Sequence, residues 1–275
     1  MKTDFRNAGL PPRVTALLEF VETVTLAPWE IDGGHWRDLR ELGWSDSELA
    51  HAALGSAHFN YLNRVADGVG IPFEYTTSLS RFEVPQAERA QLAPRAPAAA
   101  RVAHAGSDSR PFVRVDPAGV EAATHGLATG EPREFCAILG VNPPAAELVR
   151  AWRRYHFTGT ERLSTALRVR IALFAAATEH AGPCANWQES SARALGIDDA
   201  EIRALAAGAV PPRADALTRF VLDHARRLLQ SPWTAKREHV EAMKALGLDE
   251  RDVLKLTTFV AYLSFEHRAA LALGA

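Results

Sequence analysis

Only two cysteines, Cys136 and Cys184, occur among the 275 residues. Two cannot build the disulfide framework of a small secreted fold, and they suit a reducing compartment, where a thiol is either inert or catalytic. Charge of one sign is also missing. A formal net charge of -2 gives neither nucleic acid nor an anionic membrane surface a reason to bind. No uninterrupted apolar run approaches a membrane span, and Met1 to Leu10 is polar with no apolar signal core. A soluble cytoplasmic protein is the expectation. The 10 histidines include no H-x-x-x-H and no cysteine/histidine pair of pairs, so no metal is assigned. Gly33-Gly34 neither follows a strand nor opens a phosphate-loop pattern, and no cofactor is expected.

What remains is helix. Hydrophobic residues make up 47% of the chain, enough for a packed core. Leu17, Leu18, Val21 and Leu26 recur at helical spacing after Pro12, which fits a first helical turn. Ser45 with Glu48 three residues on reads as a capping box, and the helix it opens runs to about Gly68-Val69-Gly70. Residues 83–141 are rich in Pro, Ala and Arg and read as a connector with short irregular pieces, Asp116-Pro117 starting one short helix. Beyond it, Ala145 to Tyr155 reads as a helix. Thr160 is expected to cap the next, apolar around most of its circumference and stopped by Gly182-Pro183. Gly196 ends the one after, and Asp198-Asp199 opens another.

Two stretches look like copies. Pro11-Pro12-Arg13 is matched by Pro211-Pro212-Arg213, and Ala16, Leu17, Phe20 and Val21 by Ala216, Leu217, Phe220 and Val221. After a one-turn insertion, Pro28-Trp29 meets Pro232-Trp233, Leu42-Gly43 meets Leu246-Gly247, Arg64 meets Arg268 and Gly70 meets Gly274. Such a period is too long for a solenoid unit and implies a duplicated domain. Only the second copy, 211–274, is preceded by a long helical half. The division expected is a half-domain at 1–82, the connector at 83–141 and a complete helical domain at 142–275. The half-domain carries an apolar face that its missing half would cover. It is expected to pack on the second unit or on another chain, which makes a homo-oligomer the expectation.

Cys184 stands at the most informative local chemistry. In Gly182-Pro183-Cys184 the proline fits the start of a helix, so the cysteine falls in its first turn, where backbone N–H groups and the helix dipole favour a thiolate. His180 and Glu179 just before it are candidate proton carriers. The competing reading makes Cys184 a small buried residue and His180 a satisfied cap. Trp187 and Gln188 follow within about one turn and either wall a substrate pocket or pack. His156 and His267 are further pocket candidates, each with a helix-end structural alternative. Arg64 and Arg268, common to both copies, read as structural, for instance as an ion pair within the bundle.

These residues carry a resemblance. The run from Leu167 through Gly196 resembles the core of the carboxymuconolactone decarboxylase and alkylhydroperoxidase D-like superfamily. The segments around Pro232-Trp233, Leu246-Gly247, Asp249 and Arg268, and around Ala27-Pro28-Trp29, Gly43-Trp44-Ser45-Asp46 and Phe59-Asn60-Tyr61-Leu62-Asn63-Arg64, resemble the C-terminal half of its peroxidase-related members. The resemblance implies an all-α fold, an antiparallel helical bundle preceded by a half-domain of the same origin. Family peroxidases carry C-x-x-C-x-x-x-H and a glutamate on the preceding helix. Mapped here, the peroxide-attacking thiol is Cys184, while the other cysteine falls at Ala181, the histidine at Gln188 and the glutamate at Val169. No intramolecular disulfide is expected, since Cys136 is far away in sequence, and the Gln188 amide cannot titrate. Three functions stay open. One is a one-cysteine thiol oxidoreductase acting on hydroperoxides and recycled by an external thiol reductant. Another is a non-redox acid/base enzyme acting on a small carboxylated substrate. The third is a catalytically silent helical scaffold.

Overall fold

A computed structural model describes residues 4–71, 111–127 and 131–275. Among them are twelve α-helices and no strand. No described helix is long and apolar enough to cross a membrane. The first series is α1 (Pro12–Leu26), a 3₁₀ turn (Pro28–Glu30), α2 (Gly33–Glu41) and α3 (Asp46–Val69). A middle group follows: α4 (Pro117–Thr124), α5 (Arg133–Leu139), α6 (Pro143–Phe157), α7 (Thr165–Thr178), α8 (Gly182–Ala194) and α9 (Asp199–Ala206). The last series is α10 (Ala216–Gln230), a 3₁₀ turn (Pro232–Thr234), α11 (Arg237–Ala245) and α12 (Glu250–Leu273).

The first and last series match element for element. α1 and α10 each have 15 residues, α2 and α11 each have 9, and α3 and α12 each have 24. Capping boxes open the long helices, Ser45 with Glu48 and Asp249 with Asp252, and left-handed Gly70 and Gly274 close them. A cation from the short helix pairs with the first residue of the long one in both, Arg40 with Asp46 at 2.6 Å and Lys244 with Glu250 at 3.0 Å. The spacing is constant throughout, so Pro12 stands opposite Ala216 and Leu26 opposite Gln230. This corrects the match of the Pro-Pro-Arg segments. Pro12 and Arg13 are the first turn of α1, whereas 211–213 lie in a turn before α10. The supposed one-turn insertion is a slip of one helical turn along an apolar stripe, which looks alike at i and i+4.

α3 packs along α12 at the centre. Gly68 makes the close approach possible, because a Cβ there would lie 2.5 Å from Thr257 Cγ2. Trp36 of α2 is fully buried and donates its indole N–H to Ala272 O of α12 at 2.9 Å. α7 packs on α8, α9, α10 and α12, and Ile171 through Ala176 are all completely buried. Ser164, and not Thr160, caps α7. The Thr160 hydroxyl accepts from Leu163 N in the preceding turn. α7 stops at a Schellman motif, with Ala181 N donating to Ala176 O and His180 N to Ala177 O. The left-handed residue is His180, φ 56°, so Gly182-Pro183 begin α8 and do not end α7.

Part of the presumed connector is helical. α4 and α5 pack on each other and on α6, burying Phe135, Ile138 and Leu139. Its portion from 83 to 110 lies outside the described residues.

His224 of α10 supplies a pH signature. It is 3% exposed, and neither ring nitrogen has a hydrogen-bond partner among the described residues. Burial first, then His239 and Arg227, push its pKa from 6.5 down to about 4. The unfolded chain therefore binds a proton that the folded chain refuses, and stability is lost as pH falls from 6.5 towards about 4. Urea unfolding should show a loss of roughly 2 kcal/mol from this residue between about pH 7 and about pH 5. His224→Leu should flatten the slope by that amount, and an unchanged slope would assign the acid sensitivity elsewhere.

Candidate functional site

Glu179, the cap residue of α7, carries a carboxylate that is 5% exposed. Its Oε1 accepts from Arg268 Nη1 at 2.5 Å and from the Ser264 hydroxyl at 2.9 Å, and its Oε2 lies 2.7 Å from His267 Nδ1. Arg64 stands 4.0 Å away. Burial alone would raise its pKa. The Arg268 charge, the hydrogen bond from His267 and the Arg64 charge outweigh that and hold it well below the usual carboxylate range. Burial and the like charge of Arg268 push Arg64 down, with Glu179 opposing.

The two arginines are reciprocal. Arg64 Nη2 donates to Leu229 O of α10 at 3.1 Å, and Arg268 Nη2 donates to Thr25 O of α1 at 3.2 Å. Thr25 and Leu229 occupy equivalent places in their series. Each long helix thus reaches across to the first helix of the other series.

An ionised carboxylate only accepts, so His267 Nδ1 carries the proton of that hydrogen bond. In its neutral form the ring presents a lone pair at Nε2, which is buried and has no hydrogen-bond partner among the described residues. One residue earlier, Glu266 is fully buried; its Oε1 accepts from Arg153 of α6 and from the Tyr262 hydroxyl at 3.0 Å.

Cys184 lies in the first turn of α8, as the proline spacing implies, and is fully buried. Burial pushes its thiol well above its ordinary value. Glu266 and Glu179 push the same way and Arg153 opposes. This corrects the expectation that the helix start favours a thiolate, since a dipole worth about 1 kcal/mol does not match full burial beside two carboxylates. Gln188 sits one turn on, 1% exposed, with Oε1 unpartnered. Trp187 packs on Phe135 of α5, ring centres 5.9 Å apart.

The other candidates fall elsewhere. His180 presents its ring edge-on to Trp29 of the first series at 5.2 Å. Among the described residues no hydrogen bond joins it to Cys184. His156 stacks on Tyr262 at 4.7 Å and lines a separate cavity. Cys136 is buried too, and burial, then Glu131, raise its thiol to about 11, with Arg150 and Arg153 opposing. Arg153, Tyr262, Ser264 and Glu266 were not anticipated. Their signal is a helix interior in which polar groups recur four residues apart, Tyr262 to Glu266 and Ser264 to Arg268, within an otherwise apolar run. Among the described residues no group of His, Cys, Asp and Glu is arranged to hold a metal. No family model, curated protein or solved structure matches the chain.

Arg268→Met would strand Glu179 in the interior. It should cost about 3–5 kcal/mol in urea unfolding. Arg64→Met should cost clearly less, because that guanidinium stands off the carboxylate. Equal losses would show that the carboxylate is not the centre of the cluster.

Proposed function

We propose that the chain is a thiol oxidoreductase of alkylhydroperoxidase D-like type, in which Cys184 reduces a hydroperoxide and the Glu179–His267 pair moves its proton. The observation that carries this is the 2.7 Å contact between Glu179 and His267 Nδ1, with Nε2 unpartnered on a helix packed against that of Cys184. Nucleophile, base and orienting carboxylate are the parts an activated thiol needs. In the resembled peroxidases the base and carboxylate stand at the positions of Gln188 and Val169. Here the same pair of functions would come from α12 and the end of α7.

The step balances as follows. The Cys184 proton passes to His267 Nε2, and Sγ attacks the terminal peroxide oxygen. The O–O bond breaks, and the departing alkoxide takes the proton back from the imidazolium as an alcohol. Cys184 is left as a sulfenic acid. One external thiol converts it to a mixed disulfide and water, and a second thiol releases it. Because Cys184 is fully buried, peroxide reaches it only through local opening. A second reading, general acid/base chemistry on a small carboxylated substrate, is favoured by the raised thiol: the Glu179–His267 pair stands without it.

The pairing of long helices also bears on assembly. Phe59 and Leu62 of α3 are 67% and 43% exposed, whereas their counterparts on α12, Leu263 and Glu266, are fully buried. A homo-oligomer built on this face fits the half-domain reading. Phe59→Glu should lower the mass seen by sedimentation equilibrium, and a wild-type monomer would overturn the assembly.

Peroxide consumption with excess dithiol should fall at least about 100-fold in Cys184→Ala and about 100-fold in His267→Gln, as general-base loss does. A Cys184→Ala variant that keeps turnover, together with insensitivity to thiol alkylation, would favour the acid/base reading. No turnover by the wild type with hydroperoxides or small carboxylated compounds would leave the cluster a structural tie.

A further inference from the structure

Away from Cys184, the turn between α6 and α7 closes a cavity of about 220 Å³. Arg168, Lys255, His156, Thr158, Thr160 and Thr258 are among the residues that line it, and no carboxylate lines it among the described residues. Arg168 is only 3% exposed. Its Nε donates to Leu163 O at 3.1 Å and its Nη1 to His156 O at 2.6 Å. The guanidinium is thereby fixed, and among the described residues its Nη2 makes no hydrogen bond. Asp252 bears on Arg168 from α12, but that carboxylate is already bonded to Arg162 at 3.1 Å.

His156 is the second, independent observation. It is 2% exposed, lines the cavity, and its Nε2 has no hydrogen-bond partner among the described residues. Burial and then Arg168 push its pKa down to about 3, so the ring is neutral and can donate from Nε2. Gly159 closes one wall, since an added Cβ there would lie 2.6 Å from Thr165 N.

We propose that this cavity binds a small oxyanion, a phosphate or carboxylate group, held by Arg168 and Lys255 with His156 Nε2 as a further donor. The volume suits one such group and is below that of ordinary ligand pockets. Arg168 and Lys255 bring two cations to one half-enclosed space where Asp252 is shared with Arg162, and a bound anion would offset their repulsion. The proposal is independent of the peroxidase reading, since it uses no residue of the Cys184 cluster.

The test is a histidine side-chain ¹⁵N NMR titration of the full chain with inorganic phosphate and, separately, with acetate, at ionic strength held constant with sodium chloride. One resonance, the one lost in His156→Gln, should shift saturably with at least one anion. Lys255→Ala, at a half-buried position on α12, should weaken that binding about 10-fold or more. Arg168→Met should abolish it, and because Arg168 also ties two carbonyls, Lys255→Ala keeps the test decisive if that variant fails to fold. Saturation with phosphate alone identifies a phosphoryl ligand, and saturation with acetate alone a carboxylate. No saturable shift with either anion, or binding unchanged in Lys255→Ala, would overturn the proposal.

Discussion

The carboxylate of Glu179 is the constraint on which the fold's centre depends. Taking an ion out of water costs several kcal/mol even after relaxation, so an interior carboxylate survives only with compensating charge and a full set of hydrogen bonds. Arg268, Ser264 and His267 come from α12, and Arg64 from α3. Their positions fix α7 against both long helices at once. The arginines in turn use main-chain carbonyls of α1 and α10, so the same charge sets the spacing of those helices. Apolar packing elsewhere is tolerant of small shifts, whereas this cluster is not, because a displaced guanidinium leaves an unpaired interior charge.

That arrangement decides what chemistry Cys184 can do. A helix start contributes a partial positive charge, worth at most about 1–2 kcal/mol. Against it stand complete burial and the carboxylates of Glu266 and Glu179. Burial wins, and the resting thiol keeps its proton. Any thiolate must arise together with a neighbouring cation, which makes the proton acceptor as necessary as the sulfur. His267 meets that need in the proposed reaction because Glu179 dictates its tautomer and is itself held ionised by two arginines.

Local signals in the chain gave the element ends. Ser45 and Glu48 announce a capping box, Gly70 and Gly196 left-handed ends, and Asp198 a helix start, because each acts within four residues of itself. Cys184 in a first helical turn was readable for the same reason. The end of α7 was misread because a histidine, and not a glycine, takes the left-handed position. The start of α7 was misplaced because Thr160 and Ser164 are equally good caps and only packing chooses between them. Register between the two series slipped by a turn, since an apolar stripe repeats at that interval. The partners of Glu179 lie more than eighty residues away, and nothing in one sequence couples positions so distant.

The two long helices also show why only one of them carries a candidate site. Their polar positions correspond: Asn60 to Ser264, Asn63 to His267 and Arg64 to Arg268. Asn63 is exposed and His267 is 1% exposed. The difference is made by α7 and α8, which pack on α12. Desolvation turns an ordinary helix face into one where a carboxylate must find an arginine and an imidazole nitrogen is left waiting for a proton. Among the described residues the corresponding positions of α3, Phe59, Leu62 and Asn63, are exposed, and water satisfies what is polar there. Burial by α7 and α8 thus separates two otherwise equivalent helix faces.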